Sequence, residues 1–161
     1  MPASAPHLTV VGSAHAQSTL RDPQFRLAAV DVTGYPVAAT NGHVRTWVSQ
    51  RARAGKSLAC VQLTFSDLSN LSLQGADLAH ADLYGASLHG TRLMSVNFQN
   101  ADLRLADLRG ADMTGASLRG ADLLGARIDA TTDLSWVDWD EHTRWPEQFS
   151  PPQPVFGPVN I

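Results

Sequence analysis

Gly55-Lys56-Ser57 has the closing residues of a phosphate-binding loop, in which the N–H groups of a glycine-rich turn cradle phosphate oxygens beside a lysine. That loop needs another glycine at position 50, which is Gln50. Cys60 and His80 stand twenty residues apart, a thiol and an imidazole that could serve as nucleophile and base if the fold stacked them. No acid is placed to orient the imidazole, and a lone Cys is more often a small apolar residue. His80 and His89 miss the His-Glu-x-x-His spacing of a zinc site, and the aspartates form no oxygen-rich calcium loop. The reading is therefore no catalytic residue, no metal and no cofactor. What remains is recognition chemistry: Asp82, Asp102 and Asp122 recurring at intervals of twenty with Arg104 among them, and Trp136 and Trp139 near the carboxyl end.

Those residues need elements to position them, and the sequence supplies an unusual period. ADLRLADLRGADMTGASLRGADLLG, residues 101–125, returns to the same pattern every five residues. In register with it, Leu58 begins a column of large apolar residues at every fifth position that includes Phe98 and Met113 and ends at Ile128. Two positions earlier in each unit a second column is mostly Ala from Ala76 onward, with Thr91 and Val96 as exceptions. An α-helix cannot keep that stripe on one side, because five residues advance it by about 500°, and the recurring glycines would weaken it by about 1 kcal/mol each. One long strand fails as well, since residues five apart would face opposite sides. A chain that turns after each short extended piece and points the same residue inward each time satisfies both facts, and that is a solenoid.

Residues 56–130 resemble the pentapeptide-repeat proteins, whose units read approximately Ala, Asp or Asn, Leu and two variable residues. The resemblance implies an all-β fold, a right-handed quadrilateral β-helix with one unit per side and four per coil. The central Leu or Phe would fill the interior and the small residue would lie where the turning backbone crowds the axis. Residues twenty apart then stack: Asp82, Asp102 and Asp122 on one side; Asp67, Ser87, Asp107 and Arg127 on a second; Arg92 and Asp112 on a third; Asp77, Asn97 and Ser117 on the fourth. Each Asp beside an inward Leu can bond the turning backbone as an Asx turn. The acidic stripe can alternatively receive an electropositive partner.

The flanks are not repeats. Residues 1–24, rich in Ala, Ser and Pro, are expected to be a loose amino-terminal segment. Across residues 25–55, FRLAAVDV, YPVAAT and HVRTWV read as β-prone runs, and Asn41-Gly42 reads as a hairpin turn between the last two. A β-hairpin cap over the first coil is expected, with Trp47 and Val48 as its lid. After Ile128 the rhythm stops. Residues 131–161 read as a carboxy-terminal cap carrying Trp136, Trp139, Trp145 and Phe149. The run Asp140-Glu141-His142-Thr143-Arg144-Trp145-Pro146-Glu147 resembles the terminal segment of many bacterial and cyanobacterial pentapeptide-repeat proteins, with Gln148 and Ser150 departing from its usual Gly and Asp.

The formal charge of −3 and the mixture of signs argue against a direct nucleic-acid or anionic-membrane binder. No apolar run approaches a membrane span, the amino terminus lacks the basic region of an ordinary signal peptide, and a single cysteine fits a reducing compartment. A cytoplasmic location is the expectation. Five Arg against two Asp give +3 over residues 1–55, while five acidic residues against Arg144 give −4 over residues 131–161, which permits a homodimer through the caps. The leading expectation is a non-enzymatic scaffold binding an unidentified protein. The family also includes proposed DNA mimics that bind DNA gyrase and protect against quinolones. Eight Asp and six Lys or Arg over residues 56–130 leave only −2, a weak charge for such a mimic. An accessory factor in a biosynthetic or resistance pathway is the third expectation.

Overall fold

The computed structural model describes residues 41–153, and the runs FRLAAVDV and YPVAAT lie outside them. The third run of the expected hairpin is not a strand. Asn41–Arg53 forms an α-helix, α1. Val44, Trp47 and Val48 are buried while Gly42, His43 and Thr46 are exposed, so the apolar residues follow the i, i+3, i+4 spacing of a helix and not the alternation of a strand. The Asn-Gly pair that reads as a hairpin turn opens this helix instead. At the other end Lys56 N–H donates to the Arg51 carbonyl at 2.9 Å and Gly55 N–H to that of Ala52 at 3.0 Å, with Gly55 at φ +62°. This is a Schellman stop, and it explains why Gly-Lys-Ser sits here without a phosphate loop. The guanidinium of Arg45 donates to the carbonyls of Asp67 and Ser69, and that of Arg51 to the carbonyl of Ser57, which fastens α1 to the first coil.

From Ser57 the chain coils. Parallel bridges join Gln62, Asp82, Asp102 and Asp122 in steps of twenty, and equivalent ladders run from Asp67, Ser72 and Asp77. Four pentapeptides therefore make one turn of a β-helix, with faces designated 1 to 4 by those starting residues. The hydrogen bonds show how one unit is used. Asp102 N–H donates back to the Ala81 carbonyl at 3.0 Å, Leu103 N–H donates forward to the Asp122 carbonyl at 2.8 Å, and Ala106 N–H closes the turn onto the Leu103 carbonyl at 3.1 Å. Backbone groups on the crowded inner wall are thereby paired between coils. The Leu, Phe and Met column and the Ala column from Ala81 to Ala121 are almost wholly buried.

The coil continues where the sequence rhythm stops. Asp112 bridges Asp133, Ser117 bridges Asp138 and Asp122 bridges Arg144, steps of 21, 21 and 22. Two six-residue units account for the drift, and both are built alike. In Asp129-Ala130-Thr131-Thr132 and Asp140-Glu141-His142-Thr143 the last Thr donates its backbone N–H to the Asp carbonyl and accepts the Asp N–H at its hydroxyl. The two hydroxyls then donate to the carbonyls of Leu108 and Leu118 in the coil below, as Thr91 donates to Leu68. Each Thr occupies the small column, and the residue two beyond it takes the central one. Leu134 and Trp145 therefore top the columns of Met113 and Leu123, while Trp139 tops that of Leu118. The cap expected from residue 131 is, at its start, the end of the fourth coil at Asp133 and the beginning of a fifth at Asp138 and Arg144. Three of its aromatic residues meet, Trp139 and Trp145 edge to face at 5.8 Å and Trp145 stacked with Phe149 at 5.3 Å, while Trp136 stays apart and exposed.

Candidate recognition surface

The aspartates of the faces are first of all turn-formers. Asp82 accepts the N–H of Tyr84 at 3.1 Å, Asp102 that of Arg104 at 3.1 Å, Asp107 that of Arg109 at 3.2 Å and Asp122 that of Leu124 at 3.1 Å. Asp67, Asp77 and Asp112 likewise use their carboxylates to hold the N–H two residues on, which is the Asx geometry expected from sequence. Asp82, Asp102 and Asp122 do stack on face 1, but two arginines answer them. Arg104 holds Asp102 with Nε and Nη2 at 2.9 and 2.6 Å, and its Nε lies 4.0 Å from Asp122. Its guanidinium also lies over the Tyr84 ring at 5.3 Å. From the next coil up, the fifth level of this ladder, Arg144 reaches Asp122 at 2.8 Å.

Face 2 repeats the arrangement. Arg109 grips Asp107 at 2.8 and 2.6 Å, and Arg127 approaches the same carboxylate at 3.9 Å. The Arg109 hydrogen bonds, joined by the Arg109 amide and Arg127, hold Asp107 down at about 2 against the opposing effect of partial burial. Asp102 is lowered by the Arg104 guanidinium, and Asp67 by the hydroxyl and N–H of Ser69. A carboxylate whose folded value lies below its unfolded value of about 3.9 contributes stability that is complete above that value and lost as pH falls toward the folded one. The melting temperature is therefore expected to be flat from pH 7 to about 4.5 and to fall between pH 4 and 2. Asp107→Asn should start lower at neutral pH and lose less across that window; an identical acid profile in the variant would contradict the assignment.

The two tryptophans singled out from sequence lie in different environments. Trp136 is a corner residue, 74% exposed, whereas Trp139 points into the coil end and donates its indole N–H to the Pro152 carbonyl at 3.0 Å. Cys60 and His80 share a corner column, as their spacing suggested, but no hydrogen bond links thiol and imidazole. Among the described residues no cluster of three or more His, Cys, Asp or Glu could hold a metal, and no helix is long and apolar enough to cross a membrane.

Sequence reasoning missed two features. Arg144 lands on face 1 only because of the two six-residue units, whose shared Asp-x-x-Thr pattern is the signal that could have revealed them. The second is apolar. Phe65 and Leu105, 69% and 50% exposed, occupy the turn corners at φ +54° and +58°. Corners at every fifth residue from Cys60 to Gly125 all have positive φ, and half of them are glycine, so a large apolar residue there is anomalous.

The Pentapeptide repeats family matches residues 57–94 and 91–129 with 8 copies. Among solved structures, alr5209, a pentapeptide repeat protein from Nostoc Pcc 7120, is 32% identical with a TM-score of 0.57, over 65% of this chain and 87% of that one. The chain belongs to the pentapeptide-repeat family. The pentapeptide repeat protein Rfr23 from the cyanobacterium Cyanothece 51142 is 35% identical with a TM-score of 0.55, covering 56% of this chain and 61% of that one. HetL, a pentapeptide repeat protein involved in heterocyst differentiation regulation from Nostoc sp. strain PCC 7120, is 33% identical with a TM-score of 0.50, covering 51% and 38%. The chain thus spans less than two thirds of the length of Rfr23 and of HetL. A search among curated proteins finds no match. As a pentapeptide-repeat protein, the chain carries its repeat on a core that extends beyond residue 129, where the family match ends, to the bridge at Arg144.

Proposed function

We propose that this pentapeptide-repeat protein is a non-enzymatic scaffold that binds a macromolecular partner, most directly a protein, through the sides of its β-helix. The observation that carries the reading is the exposure of Phe65, Leu105 and Trp136 at positive φ. Large side chains held in that conformation cost about 1 kcal/mol or more each, and residues retained at such a cost concentrate at functional sites. The polar side chains favour the same reading, because the carboxylates of faces 1 and 2 are engaged in turns and ion pairs and are not assembled around a reacting group.

The pairing also separates the scaffold reading from gyrase mimicry. A DNA mimic must present unneutralised negative charge along a face, and Arg104 and Arg144 interrupt the stripe of Asp82, Asp102 and Asp122. Purified protein is accordingly expected to leave gyrase supercoiling and its inhibition unchanged. The scaffold itself is tested with a photo-crosslinking residue placed in turn at Arg104, Arg127, Arg92 and Gln99, one on each face, in an extract of the native organism. A discrete protein adduct from at least one face is expected. Four faces yielding only uncrosslinked chain would sink the reading.

A further inference from the structure

Charge is sorted along the axis of the coil. Residues 41–66 hold Arg45, Arg51, Arg53 and Lys56 and no Asp or Glu, a formal +4. They sit at the lower end, where Arg45 and Arg51 tie α1 to the first coil. Only Arg45 meets a carboxylate there, that of Asp67, which leaves +3. Residues 128–153, at the upper end, hold six carboxylates against Arg144, a formal −5. Arg119 reaches up from the coil below to Asp138 and Asp140 and reduces that to −4. Arg53, Lys56, Asp133, Glu141 and Glu147 are exposed, and among the described residues they lie in no ion pair. Residues 1–40 set Arg21 and Arg26 against Asp22 and Asp31, and residues 154–161 have no charged side chain, so neither segment adds net side-chain charge. The two ends cannot satisfy each other within one molecule. Lys56 and Glu141 both belong to face 4, but the ladder between them climbs from Ser57 through Asp77, Asn97 and Ser117 to Asp138. Four steps of about 4.8 Å make roughly 19 Å, about twice the Debye length at ordinary ionic strength.

We infer that the cationic lower end of one copy of this chain docks on the anionic upper end of another, head to tail. Charge complementarity selects the occupant at both ends at once: a foreign protein of either sign answers one end and leaves the other open, whereas a second copy carries the complement of both. The same sorting disfavours a symmetric pair, because two upper ends would set −4 against −4 and two lower ends +3 against +3. A head-to-tail contact is heterologous and leaves one end free on each side of the pair, so association continues to longer chains instead of stopping at a dimer. Copies stacked with their faces aligned bring Lys56 of one to the side of Glu141 of the next. Trp136, 74% exposed at the upper end, offers its ring to an incoming guanidinium. The contact leaves the four faces open, so it goes beyond the scaffold reading and does not depend on it.

Analytical ultracentrifugation of the full chain at low salt is expected to show an average mass that keeps rising with concentration past that of a dimer, with association at least tenfold weaker at high salt. Arg53→Glu with Lys56→Glu takes the lower end from +3 to −1, and Glu141→Lys with Glu147→Lys takes the upper end from −4 to 0. All four side chains are exposed, so both variants should melt near the wild-type temperature. Each variant alone should sediment as a monomer. An equimolar mixture, in which one intact upper end meets one intact lower end, should form a 1:1 dimer that grows no further. The head-to-tail contact is overturned by a wild type that stays monomeric at low salt or stops at a dimer, by association unchanged at high salt, by either variant associating alone, or by a mixture no more associated than its components. A monomeric chain that still yields a cross-linked adduct on a face would remove this contact and leave the scaffold standing.

Discussion

Replacing Phe98 by Ala is expected to destabilise the protein by about 3–5 kcal/mol, a large part of the 5–15 kcal/mol typical of a domain. Phe98 is fully buried and is the one aromatic member of the central column between Leu58 and Leu123. Its neighbours above and below on face 4 are Leu118 and Leu78. They cannot collapse into the space, because the coils are held apart at hydrogen-bonding distance: Leu78 N–H to the Asn97 carbonyl and Phe98 N–H to the Ser117 carbonyl, both 2.8 Å. A rigid wall keeps the cavity open, which places the cost toward the upper end of the range. Urea unfolding should show a lower midpoint at unchanged slope. A loss below about 1 kcal/mol would mean that the wall relaxes and that the ladder bonds do not enforce the coil spacing.

Enlarging the small column is the second severe change. Ala106→Leu is expected to cost about 3 kcal/mol or more, at or above the upper end for overpacking. The Ala106 side chain is fully buried, its N–H closes the turn onto Leu103, and the next N–H, of Asp107, donates to the Ala86 carbonyl at 2.9 Å. A Leu there can be housed only by displacing backbone that is bonded to the coil below. Ala126→Leu is the useful contrast, because Ala126 is 7% exposed and lies one coil higher, where the column nears its end. Thermal unfolding should rank Ala106→Leu well below Ala126→Leu. Equal losses would contradict the distinction between a closed and an open part of the core.

Much of this architecture was legible because the repeat is local and strict. A central apolar residue every fifth position, a small residue two before it and an Asx former next to it leave few other chain paths, and the β-helix of four units per coil carries all three. The amino-terminal cap was misread because HVRTWV satisfies strand propensity residue by residue. The helix is decided by Val44, Trp47 and Val48 needing a common buried side and by Gly55 supplying the left-handed stop. The candidate site was legible in part. The stacking of Asp82, Asp102 and Asp122 follows from counting by twenty, and their occupation as turn caps follows from the Asp side chain.

The sequence by itself determined the solenoid, the inward columns and the composition of each face, because those depend on spacing along the chain. The tertiary structure alone decided what the faces present. Arg144 reaches Asp122 because two Asp-x-x-Thr units shift the register of the last coil, and Arg45 reaches Asp67 because α1 turns back onto the first. The pairing of charge is likewise three-dimensional: Asp102 and Asp107 each hold the turn N–H two residues on and are gripped by the guanidinium of that same residue, Arg104 or Arg109, because the turn brings the two side chains together.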